Sequence, residues 1–428
     1  MCIINCKLYI MTKYLPLLLT LVLCCHSCTS GEDFPQDNGE EQHLTPGRRT
    51  IIAYISGDNN LSPSLSSDIS EMTEGSTQMP DDCRLLVFAD LNNQPPYIAH
   101  ILGGKMTKVK EYPRDFYSTS PDSMLSVYQW IIDHYPSTEY ATIIEGHGSG
   151  PIIEKDTVAT SLLTLHAYGT DATGEDPATS TPKWMNIPSM SAVFGNLKDH
   201  NGNKLRFSYI FFDCCCCQSV ETAYELRHAT RYIIAPVSET PGNGADYKTM
   251  LPALCADTES AAKNIVSAYA SQSRLCISAI RTDGLEALCQ ATRNALLTIP
   301  RTDRPLTLER KHCIYYYRTK STPVLHDMKH IMKLNLSPEE YTRWLPYLEN
   351  VVVTRHLPPP DGTADPWVTA LNINFPLFRD NLTPDNYGGI SMIAPSDAYD
   401  YAGSDINTTL FQLRWSNAAG WNTLGWTE

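Results

Sequence analysis

A chain of 428 residues exceeds what one ordinary core supports, because cores stop growing near roughly 250–300 residues, so one large core with an appended region is expected. Hydrophobic residues make up 42% and charged residues 19%, which excludes extensive disorder beyond the N-terminus and gives a globular protein. The net charge of −14 repels a phosphate backbone and sets nucleic acid aside as a partner.

At the N-terminus, Lys13 precedes the apolar run from Leu15 to Leu23, which is too short to span a bilayer and has the length of a signal-peptide core. The run ends in Cys24-Cys25-His26-Ser27-Cys28. A cysteine placed there resembles the bacterial lipoprotein signal. That resemblance implies that residues 1–28 are a leader and that Cys28 carries the lipid, with Cys24 and Cys25 as alternatives. It also implies export and anchoring to the cell envelope, at the outer membrane or the cell surface. An uncleaved N-terminal anchor is the competing reading. Residues 29–47, rich in Asp, Glu, Gly, Gln and Pro, have too few apolar positions to pack and form a flexible acidic tether.

From Arg48 onward apolar runs alternate with helical patterns, the signature of a mostly parallel sheet with helices on both sides. Strands are expected over Ile51–Ile55, Arg84–Ala89, Ala141–Ile144, Phe207–Phe212 and Tyr232–Ala235. One helix places Met124, Val127, Tyr128 and Ile131 on a single face before Pro136, and another runs through Val220, Ala223, Tyr224 and Leu226. The segment from Gly150 to Arg206, rich in Thr, Ser, Pro and Gly, reads as an exposed loop. The main domain spans 48–304, and 305–428 forms a C-terminal region packed on it, with a further strand at Ile390–Ile393.

Ligands in open α/β sheets bind beyond the carboxyl ends of the strands, and two such ends carry chemistry. One is His147 between Gly146 and Gly148; the other is the Asp213–Cys217 turn, with four consecutive cysteines. A thiol near a helix N-terminus, a neighbouring imidazole and close-approaching glycine N–H groups are what nucleophilic acyl transfer requires. Four adjacent residues cannot wrap a tetrahedral zinc ion, and adjacent strand positions face opposite ways, so neither a metal site nor a disulfide framework is expected. No metal or other cofactor is called for. Each residue also has a structural reading: a hydrogen-bonded core histidine at 147, a buried thiol at 215, a helix N-cap at Asp213. The Asp58-Asn59-Asn60 segment is read as a turn, in preference to a partner for His147.

The text around these residues, Glu145-Gly-His-Gly-Ser-Gly-Pro151 and Phe211-Phe-Asp-Cys-Cys-Cys-Cys-Gln-Ser-Val-Glu-Thr-Ala-Tyr-Glu-Leu226, resembles the clostripain family of cysteine endopeptidases. Tyr54–Leu61, Ser238–Tyr247 and Gly389–Pro395 extend the likeness. The resemblance implies a caspase-like α/β sandwich in which 48–304 is the catalytic domain, with His147 and Cys215 as the catalytic dyad. The N–H groups of Gly148 and Cys215 then form the oxyanion hole. It implies cleavage of proteins or peptides after Arg or Lys, with Asp213, a buried carboxylate lacking an internal partner, and secondarily Asp246 binding the cation. Self-processing between His147 and Cys215, at Lys155, Lys183, Lys198 or Arg206, and a monomeric state complete the expectation. A lipid-anchored binding protein that keeps the fold without turnover is the alternative.

Overall fold

A computed structural model of the chain describes residues 46–153, 168–174, 181–272, 275–304, 306–308, 311–319, 322–358, 382–401, 405–422 and 426. The leader with Cys28, most of the tether and Lys155 lie outside the described residues. Strand β1 (Gly47–Gly57) is the spine: its Thr50–Gly57 stretch is buried throughout, as its β-branched run anticipates. Helix α1 (Ser62–Gly75) leads to β2 (Cys83–Leu91) and a hairpin of β3 (Tyr97–Leu102) and β4 (Lys105–Glu111). Next come α2 (Pro121–His134) and β5 (Ser137–Gly146). Proline opens α2 at its first turn, where no N–H is needed, and Met124, Val127, Tyr128 and Ile131 are its buried face.

Beyond β5 the order is α3 (Ile187–Asn196), β6 (Ile210–Asp213), α4 (Val220–Leu226), β7 (Tyr232–Pro236), α5 (Tyr247–Leu254) and α6 (Thr258–Gln272). Then follow β8 (Ile277–Arg281), α7 (Leu285–Leu297), β9 (Tyr315–Thr319), β10 (Thr322–Asp327), α8 (Met328–Asn335), α9 (Pro338–Val351), β11 (Val352–His356) and β12 (Ser391–Met392). Nine strands form one sheet in the order β11-β8-β7-β6-β5-β1-β2-β3-β4, parallel from β7 through β2 and antiparallel at both margins. Strands β12, β10 and β9 form a separate small sheet.

Alternation along the central strands divides the core into two layers. Ile52, Tyr54, Leu86, Phe88 and Ile144 face α2, α3 and α4. Ile51, Ala53, Leu85, Val87 and Ile143 face α1, α5 and α6. Tyr54 stacks on Phe88 and on Tyr128, with ring centroids 4.6 and 5.3 Å apart, so β1, β2 and α2 are joined by aromatic contact as well as area. The architecture is a mixed α/β sandwich, as expected.

Two expectations change. The strand at Phe207–Phe212 shortens to Ile210–Asp213, with Phe207 making only an isolated bridge to Thr230. The 150–206 segment is not an exposed loop throughout: Tyr168 is fully buried, and α3 buries Ile187, Met190, Val193 and Phe194 at helical spacing. Residues 154–167 and 175–180 of that segment lie outside the described residues.

Helix α4 ties the C-terminal region to the sheet. The Gln218 amide donates to the Ser278 carbonyl (2.7 Å), the Ser391 N–H reaches the Gln218 carbonyl (3.0 Å), and Glu221 Oε1 accepts from the Ile393 N–H (2.8 Å). Glu225 accepts from the Arg414 N–H (2.6 Å). These buried polar residues answer main-chain groups that would otherwise be orphaned, which explains why so apolar an environment carries them.

Candidate active site

Parallel pairing of β5 with β6 puts Glu145 opposite Asp213. The strands end at or just beyond this pair, at Gly146 and Asp213, so His147 and Cys215 lie one and two residues past neighbouring strand ends. The two turns touch: a Cβ added to Gly148 would lie 2.8 Å from the Cys215 carbonyl oxygen and 2.9 Å from Cys214 Cβ. At Gly150, whose φ is +66°, a side chain would run into the Cys216 carbonyl. The glycines of the His147 loop are therefore what lets it close onto the cysteine turn. Cys216 itself has a φ of +60°, rare for a residue with a side chain, and is held there by its N–H bond to the Ser238 carbonyl (2.9 Å).

His147 Nε2 lies 2.8 Å from Asn60 Oδ1. The Asp58–Asn60 segment is thus more than a turn, against the sequence expectation, because α1 begins far enough past β1 for Asn60 to lean across to the β5 end. Burial pushes the His147 imidazole below its ordinary pKa. Cys215 is partly exposed, and its Sγ accepts from the Thr240 N–H (3.2 Å) in the loop after β7. Burial pushes the Cys215 thiol up, more than the Thr240 N–H draws it down. Both shifts favour the uncharged form of the group concerned. The expected acidifying helix terminus is not adjacent: α4 starts at Val220, and its N-cap is Ser219, which accepts from the Thr222 N–H at 3.0 Å. The N-cap role is therefore Ser219's and not Asp213's. The N–H groups of Gly148 and Cys215 donate to no protein acceptor among the described residues.

Behind Cys215 lies a group of carboxylates. Asp213 is buried, yet it has internal partners, contrary to expectation: Oδ2 accepts from the Ala245 N–H (2.8 Å) and the Tyr247 hydroxyl (3.1 Å), and Oδ1 from the Tyr269 hydroxyl (3.3 Å). The oxygens that find no N–H or O–H donor are Asp68 Oδ2 on α1 and both of Glu145. Burial pushes Asp68 up to about 7, and burial drives Glu145 far above the carboxylate range with Asp68 and Asp213 adding repulsion. No lysine or arginine is among the causes that shift these three groups. Asp246 is placed differently, at the N-cap of α5, where its carboxylate accepts from the Thr249 N–H (3.3 Å) and hydroxyl (3.0 Å). Asp68 and Glu145 escaped the sequence reading, although Glu145 stands inside the histidine motif.

The clostripain family model matches residues 53–343, well over half of the chain. The chain belongs to the clostripain family. It is a cysteine-type peptidase, and its substrates are peptides or proteins. No curated protein matches the sequence. Among solved structures, it is similar to an inactive zymogen C11 protease from Parabacteroides distasonis, at 19% identity and a TM-score of 0.68, covering 88% of this chain and 99% of that one. It is also similar to a secreted C11 cysteine protease from Bacteroides thetaiotaomicron solved with an irreversible peptide inhibitor, at 24% identity and 0.67, over the same shares. Another structure of a secreted C11 cysteine protease from that organism, iotapain, matches at 18% identity and 0.65, over 88% and 100%. At such identities the likeness carries the caspase-like fold alone.

Among the described residues, no group of three or more His, Cys, Asp or Glu side chains is arranged to hold a metal ion, and no helix is long and apolar enough to cross a membrane. The nine cysteines from Cys83 onward are all free thiols. Of the residues eligible for self-processing, Lys183 is bridged to Asp171 through its main chain, Arg206 is paired with Asp283 at 2.7 Å, and Lys198 is exposed.

Proposed function

We propose that this clostripain-family member is an endopeptidase that cleaves after Arg or Lys with Cys215 as nucleophile and His147 as base and acid. The reading is supported by the Glu145–Asp213 register, after which His147 and Cys215 follow adjacent strand ends, and by the close approach of Gly148 to the Cys215 carbonyl. In the acylation step the Cys215 sulfur bonds to the scissile carbonyl carbon while its proton passes to His147. The free N–H groups of Gly148 and Cys215 receive the oxyanion. His147 then gives that proton to the departing amine as the C–N bond breaks, leaving a thioester. Water, deprotonated by His147, hydrolyses the thioester and restores the thiol.

The preference for a basic residue rests on the carboxylates of Asp213, Asp68 and Glu145, which no Lys or Arg among the described residues is seen to neutralise. A substrate guanidinium or ammonium offers the donors that Asp68 and Glu145 lack, and Asp246, at the N-cap of α5, is a further carboxylate proposed to face the cation. Self-cleavage between His147 and Cys215, and export with a lipid on Cys28, belong to the same proposal. A monomer is the expected state.

Reporter peptides with Arg, Lys, Asp or Leu at the cleaved position test it directly. Wild type should hydrolyse the first two, and both Cys215→Ala and His147→Ala should be inactive. Hydrolysis by Cys215→Ala, or a preference for Leu, sinks the assignment. Iodoacetamide with peptide mapping should label Cys215 ahead of buried Cys214, Cys216 and Cys217.

A further inference from the structure

Asn60 stands between β1 and α1, on a turn fixed from several sides. The Asn59 amide donates to the carbonyls of Ser56 (3.2 Å) and Thr170 (2.6 Å) and accepts from the Leu61 N–H (2.8 Å). Asn92, one residue past β2, donates to the Asn59 carbonyl (2.9 Å). Asn60 therefore sits on a braced main chain, and its side chain's one hydrogen bond among the described residues is to His147. The histidine loop is braced as well, since the Gly169 N–H donates to the His147 carbonyl at 2.8 Å.

We infer that Asn60 is a positioning residue that fixes the ring and tautomer of His147, by accepting the Nε2–H and leaving Nδ1 bare as the basic nitrogen. This rests on His147 being the base of the proposed reaction and extends the dyad by a third residue. An amide oxygen can only accept, so the Nε2 it faces must carry hydrogen, and a neutral imidazole then has its lone pair on Nδ1. Nδ1 has no hydrogen-bond partner among the described residues. When Nδ1 takes the Cys215 proton, the ring becomes cationic, and the Nε2–H bond to Asn60 strengthens into a charge-assisted one. Burial opposes that same protonation. Asn60 thus works at the moment when the site is least favourable to charge.

Asparagine and imidazole can also meet the other way round, with the amide nitrogen donating to Nε2 and the proton on Nδ1. Two replacements separate these cases. Asn60→Ala removes the contact; kcat for the Arg reporter should fall roughly 10- to 100-fold with KM little changed, the scale of one hydrogen bond to a charged group. Asn60→Asp keeps the acceptor and adds charge, so it should retain more kcat than Asn60→Ala. It should also move the acid limb of kcat/KM to higher pH, because a carboxylate raises the His147 pKa. A merely structural link would move neither the limb nor the ranking.

Nitrogen-15 NMR of histidine-labelled wild type, with His147 assigned through His147→Gln, reads the tautomer without turnover: Nε2 protonated and Nδ1 bare. An Nδ1–H signal, unchanged kcat in Asn60→Ala, or an Asn60→Asp enzyme no better than Asn60→Ala overturns the inference. If instead His147→Ala remains active, the dyad reading fails, and the spectrum still decides the hydrogen bond.

Discussion

Glu221 offers a way to measure the strain that α4 accepts in order to hold the C-terminal region. Its side chain is fully buried; Oε1 accepts from the Ile393 N–H, and Oε2 has no donor. Burial raises its carboxyl from 4.5 to about 8, with the Ile393 N–H pulling the other way. The folded chain therefore keeps a proton that the unfolded chain releases above pH 4.5. This stability is fully present below pH 4.5 and is lost as pH climbs through 8. Each pH step within that interval is worth about 1.4 kcal/mol, so wild type should lose about 4 kcal/mol between pH 5 and 8.5 from this one group. Glu221→Gln retains an acceptor for Ile393 and cannot ionise. Its own burial cost of about 1–3 kcal/mol is the same at every pH. Urea unfolding of both proteins at pH 5, 7 and 8.5 isolates the effect, because every other titrating group is common to the pair. The difference in unfolding free energy should swing toward the variant by several kcal/mol as pH rises. Parallel pH profiles would refute the reasoning and mean that Glu221 is not buried without compensation.

Gly148→Ala should lower stability by about 1–3 kcal/mol, as overpacking does, and nearly abolish Arg-reporter hydrolysis, because its Cβ would press the Cys215 carbonyl; a thermal melt and a reporter assay read the two effects. If Asp213 faces the substrate cation as proposed, Asp213→Asn should cut kcat/KM for the Arg reporter by roughly 10- to 100-fold and leave any slow Leu hydrolysis alone. Ser219→Ala should cost about 1 kcal/mol in a urea titration through loss of the α4 cap, with the KM of the reporter unchanged.

The sequence exposes the elements whose pattern is local. The β-branched run of β1, the apolar face of α2 and the cysteine turn are legible because periodicity and punctuation carry them. The β3–β4 hairpin hides because β4 reads Lys-Met-Thr-Lys-Val-Lys-Glu and is mostly exposed; only the Gly103-Gly104 turn, at φ of +57° and +81°, announces it. Helix α3 is masked by the Ser, Pro and Gly around it, although Ile187, Met190, Val193 and Phe194 hold helical spacing. Of the site, His147, Gly148, Asp213 and Cys215 come from two short texts that each end a strand. Asn60 and Asp68 cannot be found that way: each lies roughly 80 residues before its partner and arrives through the β1–β5 pairing and the packing of α1. Glu145 stands in plain view, but what singles it out is the lack of a donor, which only packing shows.

Strands β5 and β6 are neighbours in the sheet, yet the chain between them is the stretch in which self-cleavage is proposed. Severing it would leave an N-terminal fragment holding β1 to β5 and a C-terminal fragment holding β6 to β11, zipped along a shared seam and clasped by common aromatic and aliphatic packing. Such a product should travel through a sizing column as one particle and part into two bands only in detergent, so maturation would change the covalent chain without dispersing its halves.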